Sequence, residues 1–151
     1  MICSGAGAFE SLRLEKGYRS LGTDIHTNYN PYESGLGFTV KLKKDDEFIG
    51  KNALQKIKEK PIEKRLTCMI IDDPEGMALG TEPIYSNGKA VGYVTSTNYG
   101  YFVDKHIVYG YLPSELSEKG NKLEVEYFGK RYPLTVTEEP LLDPENRRLK
   151  S

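Results

Sequence analysis

Pro83-Ile84-Tyr85-Ser86-Asn87-Gly88-Lys89-Ala90-Val91-Gly92-Tyr93-Val94-Thr95 is the stretch on which the fold of this sequence turns. Two short β-prone runs flank Asn-Gly, and that dipeptide supplies the pair of positive φ angles a type I′ turn requires. The stretch therefore predicts a tight antiparallel hairpin. Reading outward, Leu66-Thr67-Cys68-Met69-Ile70-Ile71 predicts a strand, closed by a turn at Asp73-Pro74-Glu75-Gly76. Downstream, Tyr99 to Tyr111 is again β-rich, and Pro113-Ser114-Glu115-Leu116 predicts a single helical turn. Leu123 to Phe128 and Tyr132 to Val136, joined by a turn at Gly129-Lys130, predict a second hairpin. Strands this short, with no long helix between them, imply a small antiparallel β-barrel or sandwich. Residues 64–151 are expected to form that domain and its tail.

Upstream the pattern changes. Residues 6–19 read as a helix, with Phe9 and Leu12 one turn apart and Gly17 as the stop signal. Glu15 and Arg19 stand four apart, in the order of an exposed ion pair, while Arg13 and Lys16 share a face that reads as solvated. Residues 22–37 are rich in Gly, Pro and Asn and predict an ordered loop. Gly35-Leu36-Gly37 is no dinucleotide fingerprint, because neither a third glycine nor a helix start follows. Phe38-Thr39-Val40-Lys41-Leu42 alternates apolar and polar residues and predicts a half-buried strand. Ile49, Ala53 and Ile57, with Leu54 beside them, predict a short amphipathic helix ending before Pro61. The charged, proline-broken Glu59-Lys60-Pro61-Ile62-Glu63-Lys64 is the best linker, so residues 1–63 are expected to form a separate unit.

Composition narrows the function classes. The chain has 151 residues, 38% hydrophobic and 28% charged, and suits a soluble globular protein with a working core. A net charge of −1 gives no global attraction to nucleic acid or anionic membrane. No apolar run approaches the roughly 20 residues a membrane helix needs. The two cysteines, Cys3 and Cys68, lack metal-type spacing and suit a reduced, cytoplasmic chain. His26 and His106 have no partners at ligand spacing, so no metal site is expected. There is no Gly-x-Ser-x-Gly elbow and no phosphate loop. Tyr99, Tyr101, Phe102, Tyr109 and Tyr111 crowd one β stretch, but without clustered basic residues they read as core and strand-surface residues rather than a base-stacking platform. Arg147 and Arg148 in the tail are candidates for a charge contact to an anionic ligand, since a guanidinium matches a carboxylate bidentately.

Ser11-Leu12-Arg13-Leu14-Glu15-Lys16-Gly17-Tyr18-Arg19, Gly22-Thr23-Asp24, the run from Asn30 to Phe38, and Phe48-Ile49-Gly50-Lys51 with Ala53-Leu54 resemble the glycine-cleavage T-protein (aminomethyltransferase) superfamily. The likeness continues through Glu82 to Tyr85, Val91 to Ser96, Tyr109 to Pro113 and the tail from Pro140. Lys16 to Arg19 and Gly35 to Phe38 look closer to the folate-binding half of dimethylglycine and sarcosine dehydrogenases. The resemblance implies a C-terminal part of a tetrahydrofolate-dependent enzyme that moves a one-carbon unit from an aminomethyl or methylamine donor to tetrahydrofolate. It implies an α+β, mainly β fold: a small antiparallel β-barrel preceded by a helix-loop-strand-helix remnant of a folate-binding middle domain. The family's first-domain aspartate and its Gly-Tyr-Thr-Gly-Glu-type motif do not occur in this sequence. No catalytic residue is therefore expected, nor activity by this chain alone. Where the T-protein has a folate-contacting arginine, this sequence has Phe9. The resemblance puts folate against the tail, which offers Asn146, Arg147 and Arg148; the expected contact is Arg147 or Arg148, with Arg13 as a further lining candidate. The implied partners are folate and a missing N-terminal half, in the same enzyme or as a separate subunit, with self-association expected through the face that half would cover. The alternative is a non-catalytic interaction or scaffolding module, or a split subunit of a dehydrogenase of this type.

Overall fold

The computed structural model describes residues 5–150; Cys3 lies outside the described residues. Six strands form a closed antiparallel barrel: β1 (Lys64–Ile71), β2 (Pro83–Ser86), β3 (Lys89–Gly100), β4 (Lys105–Pro113), β5 (Lys122–Tyr127) and β6 (Lys130–Val136), in the order β1-β4-β3-β2-β5-β6. The expected hairpin is there, with Asn87 at φ 49° and Gly88 at φ 77° between β2 and β3. The second hairpin turns one residue earlier than expected, at Phe128 (φ 49°) and Gly129 (φ 76°). Ser114–Leu116 is the expected single turn, of 3-10 type.

Alternate side chains of every strand fill the barrel. Met69, Ile71, Ile84, Val94, Val108, Leu112, Leu123, Val125, Leu134 and Val136 form one buried cluster. The opposite faces of β1 and β4 are also covered: Leu66, Cys68, Ile107, Tyr109 and Tyr111 pack with Leu14 in a second cluster. Burial on both faces explains why these two strands read as continuous apolar runs. Gly92 permits the closest approach of β3 to β4, because a Cβ there would lie 2.1 Å from the Tyr111 carbonyl oxygen.

The outer cluster is roofed by a collar of chain made from the N-terminal segment and the tail. Helix α1 (Ala6–Glu15) stops four residues short of the expected end, with Lys16 as its C-terminal cap and Gly17 at φ 71°. Its apolar pair is turned away from the barrel: Phe9 and Leu12 are 64% and 60% exposed. The expected exposed pair of Glu15 and Arg19 does not form; Glu15 is buried and accepts the backbone N–H of Phe102 at 2.6 Å. The expected strand at Phe38–Leu42 is absent, and Gly37–Thr39 make one 3-10 turn instead. Alternation alone cannot make a strand, and a closed barrel offers no free edge for a seventh. Helix α2 (Lys51–Lys58) forms as expected, but none of its residues is fully buried. The tail ends in a short helix, α3 (Arg147–Lys150). No helix among the described residues is long and apolar enough to cross a membrane.

Candidate functional site

The collar encloses a cleft of about 580 Å³ outside the barrel, between the segment after α1 and the tail. Gly17 makes this geometry possible. Its positive φ reverses the chain, and a Cβ there would sit 3.4 Å from both Pro140 Cβ and the Tyr109 hydroxyl. Leu142 N–H donates to the Glu15 carbonyl at 2.9 Å, fastening the tail to the end of α1. Lys16 Nζ then donates to the Asp143 carbonyl at 2.6 Å and approaches Asp143 Oδ2 at 3.5 Å.

Arg19 is the best-held cation of the cleft. Its guanidinium donates to the carbonyls of Gly17 and Ser34 and to the Glu139 carboxylate, and it lies 5.6 Å from the centroid of the Tyr109 ring. Burial works to lower its pKa, but the hydrogen bond and charge of Glu139 outweigh that and hold it above its ordinary value. Arg19 is thus a fixed positive charge. Beneath it, burial pushes the Tyr109 phenol far above its usual range, with Cys68 and Glu139 adding to the shift. The buried Tyr109 hydroxyl makes no hydrogen bond of full geometry, and Cys68 and Glu139 are the groups that approach it. Burial also pushes the Cys68 thiol up to about 12, so it is no nucleophile near neutral pH. Ile25, Leu36, Phe38 and Pro140 supply the apolar walls.

The structure separates the residues singled out from sequence. Asn146 lines the cleft, and Arg147 and Arg148 do not. Arg147 is exposed and pairs with Glu145 at 2.7 Å. The Arg148 guanidinium lies 4.6 Å from the Phe102 ring centroid, on another side of α1. Both backbone N–H groups donate to the Asp143 carboxylate, at 2.8 and 3.2 Å, which starts α3. Desolvation works to raise the Asp143 pKa, yet these two N–H groups and Lys16 bring it below its ordinary value.

Arg13 is no part of the cleft wall. It is 6% exposed and donates to Asp24 at 2.6 Å, Ser96 at 2.7 Å, Glu10 at 2.8 Å and the Tyr18 carbonyl at 3.1 Å. These bonds, with the ion pair from Nη2 to Glu10, occupy its donor fork. The lysine and arginine that do line the cleft, Lys16 and Arg19, lay within the motif but gave no local sign of their role. Their partners sit more than a hundred residues downstream, at Asp143 and Glu139.

The remaining candidates are spent on packing. Tyr111 donates to the Asp24 carbonyl at 2.7 Å, and His106 Nε2 lies 3.0 Å from Thr97 Oγ1. No group of three or more metal-ligating side chains occurs among the described residues. A cleft with a fixed cation, a carboxylate and apolar walls suits binding and orienting an amphipathic anion.

The family described as the glycine cleavage T-protein C-terminal barrel domain matches residues 64–143, and the GCVT N-terminal domain matches residues 1–44. The chain is 42% identical to human mitochondrial dimethylglycine dehydrogenase over 147 residues, covering 96% of this chain and 17% of that protein. It is 35% identical to mouse mitochondrial sarcosine dehydrogenase, covering 99% of this chain and 17% of that protein. An aminomethyltransferase of Prochlorococcus marinus is 36% identical, covering 90% of this chain and 36% of that protein. The crystal structure of the glycine cleavage system aminomethyltransferase T from Bartonella henselae superposes with a TM-score of 0.81 at 27% identity, over 91% of this chain and 38% of that one.

Proposed function

Because the chain belongs to the glycine cleavage T-protein family, we propose that it is the C-terminal, folate-facing part of a tetrahydrofolate-dependent one-carbon transferase of the dimethylglycine and sarcosine dehydrogenase type. The observation that carries this reading is the match to dimethylglycine dehydrogenase across 96% of the chain, at 42% identity. Phe9 supports the dehydrogenase branch over the aminomethyltransferase, whose folate-contacting arginine the resemblance puts at that position.

The cleft fits a reduced folate in kind: a flat heteroaromatic body joined to a carboxylate tail. Leu36, Phe38 and Pro140 would flank the body, and Lys16 and Arg19 would face the carboxylates. Arg147, which follows the lining residue Asn146, would extend the cationic surface only by giving up its pair with Glu145, and Arg148 only by leaving the Phe102 ring. When bound, tetrahydrofolate supplies the nitrogens that accept the one-carbon unit. This chain's residues hold and orient the ligand and exclude water from one side of it. Arg19, pinned by Glu139 and two carbonyls, needs no rearrangement to meet an anion. The chain spans 17% of the dehydrogenases it matches, and the chemistry is assigned to a remainder it must meet, in the same polypeptide or as a separate subunit. A reducing compartment such as the cytoplasm suits the buried free thiol of Cys68.

Calorimetric titration with 5-formyltetrahydrofolate, a stable reduced folate, tests the site. Binding weaker than about micromolar, roughly −8 kcal/mol, is expected for a wall without its opposite wall, and Arg19→Gln should weaken it further. Unchanged binding in that variant would remove the cleft from the proposal. Folate-dependent one-carbon transfer by the chain alone would overturn the view that it is not a catalyst by itself. The exposed Phe9 and Leu12 favour a second reading, an interaction module or split subunit, which complete absence of folate binding would support.

A further inference from the structure

A second groove, of about 560 Å³, runs along α1, between Ser11, Leu12 and Glu15 on the helix and Asn98 near the end of β3 with Tyr101 and Phe102 on the β3–β4 turn. Its lining is mostly apolar, and Leu12, Tyr101 and Phe102 are 60%, 80% and 60% exposed. Glu15 stands at its floor, 1% exposed. One carboxylate oxygen accepts the N–H groups of Phe102 and Val103 at 2.6 and 3.2 Å. The other, Oε2, has no hydrogen-bond partner.

A buried carboxylate oxygen without a donor is costly, and native proteins rarely leave one so. Here the oxygen belongs to a residue that lines an open apolar groove. The oxygen is itself buried, so a donor from outside reaches it only as the groove lining parts, and must come on an apolar stem past the Phe102 ring that Arg148 covers. A lysine or arginine side chain has that form: a methylene chain for the aromatic rims and a charged head for the carboxylate. Helix α1, which builds one wall, falls in the region matched by the GCVT N-terminal domain, residues 1–44, whereas the other wall comes from the barrel.

We propose that this groove is the docking site for a polypeptide segment of the rest of that N-terminal domain, which inserts a lysine or arginine between apolar neighbours to reach Glu15 Oε2. The inference rests on the family match and not on folate binding in the cleft.

The probe is n-butylguanidinium, with uncharged n-butylurea as its control, titrated into the 15N-labelled chain. The cation should shift the amide signals of Phe102 and Val103 and bind about tenfold more tightly than the urea. Glu15→Gln keeps an acceptor for those two N–H groups, so the fold should persist by thermal unfolding while the preference for the cation disappears. Equal binding of cation and urea, or a preference that survives in Glu15→Gln, would overturn the proposal. So would a concentration-dependent dimer in sedimentation velocity that Leu12→Glu abolishes, because the occupant would then be a second copy. Folate titration of Glu15→Gln separates the two readings: unchanged folate binding leaves the cleft standing whatever the groove does.

Discussion

The barrel interior and the collar that roofs its outer face differ in that the collar buries a polar set beside its apolar cluster. Inside the barrel the buried side chains are aliphatic and aromatic, from Met69 and Ile84 to Leu134 and Val136. Under the collar the buried set includes Ser11, Arg13, Glu15, Asp24 and Ser34, each less than a tenth exposed. The first region tolerates imprecision in partner but not in volume, because dispersion and water exclusion have no direction. The second tolerates neither, since each polar atom needs a donor or acceptor at a set distance and angle. Asp24 shows the density of this arrangement. Its carboxylate accepts from Arg13 at 2.6 Å, Thr95 at 2.6 Å and the Ser20 N–H at 3.0 Å, joining helix, loop and barrel in one residue.

The largest expected effect falls on that residue. Asp24→Ala removes the buried counter-charge of the Arg13 guanidinium, leaving it only the more exposed Glu10, and should cost about 3–5 kcal/mol in urea unfolding. Arg13→Met combined with Asp24→Leu should recover part of this, but not all, because Thr95 and the Ser20 N–H still lose their acceptor. Full recovery would show that the collar needs volume rather than hydrogen bonds. Next comes the barrel interior. Leu134→Ala, at a fully buried position with neighbours from several strands, should cost about 3 kcal/mol through the cavity it leaves. If Leu134→Ala proved worse than Asp24→Ala, the ranking of the two regions would reverse.

This contrast also explains what the sequence made legible. Both hairpins, the β1 strand and the turn at Ser114–Leu116 declare themselves locally, by Asn-Gly, by β-branched runs and by proline. The barrel follows from them because such strands close on each other. The collar depends on contacts with no local sign. Glu15 and Arg19 have the spacing of an exposed helical pair, yet the helix stops at Glu15 and the two side chains part company, one to the β3–β4 turn and one to Glu139. Phe38 to Leu42 alternates like a strand, but only the closure of the barrel decides that no edge awaits it. At the candidate site the sequence pointed to Arg147, Arg148 and Arg13, none of which lines the cleft, while Lys16 and Arg19 were not legible as its cations. Their sign would have been a reason to bring Glu139 and Asp143 back to α1, and nothing local in the tail provides one.

A smaller effect tests whether local signals in the barrel carry energy as well as information. Asn87 holds φ at 49°, a conformation costing most side chains about 1 kcal/mol, and asparagine tolerates it better than alanine. Asn87→Ala should therefore lower stability by about 1 kcal/mol without altering the folate titration, whereas Asn87→Gly should be near neutral. A loss as large as that of Leu134→Ala would make the turn, and not the packed interior, the determinant of the barrel.

The smallest effect lies where the barrel meets solvent, at His106 on β4. Burial lowers its pKa below the ordinary value of 6.5, and a backbone hydrogen bond at Gly76 only partly opposes this. The sign follows from proton counting. Below the ordinary value the unfolded chain binds a proton at this position that the folded chain still refuses, so acidification favours unfolding. Above it both states are neutral and the contribution is flat. Stability should thus fall as pH drops through the window just under 6.5, and His106→Gln, which keeps a polar neighbour for Thr97, should flatten that part of the profile. The collar gives the opposite control. Asp143 has a folded pKa below its ordinary value, so its contribution disappears only at more acidic pH, as it protonates. Two separated steps in the acid profile, the upper removed by His106→Gln and the lower by Asp143→Asn, would assign one titration to each region. A single step removed by Asp143→Asn alone would show that the collar, and not the barrel, governs acid stability.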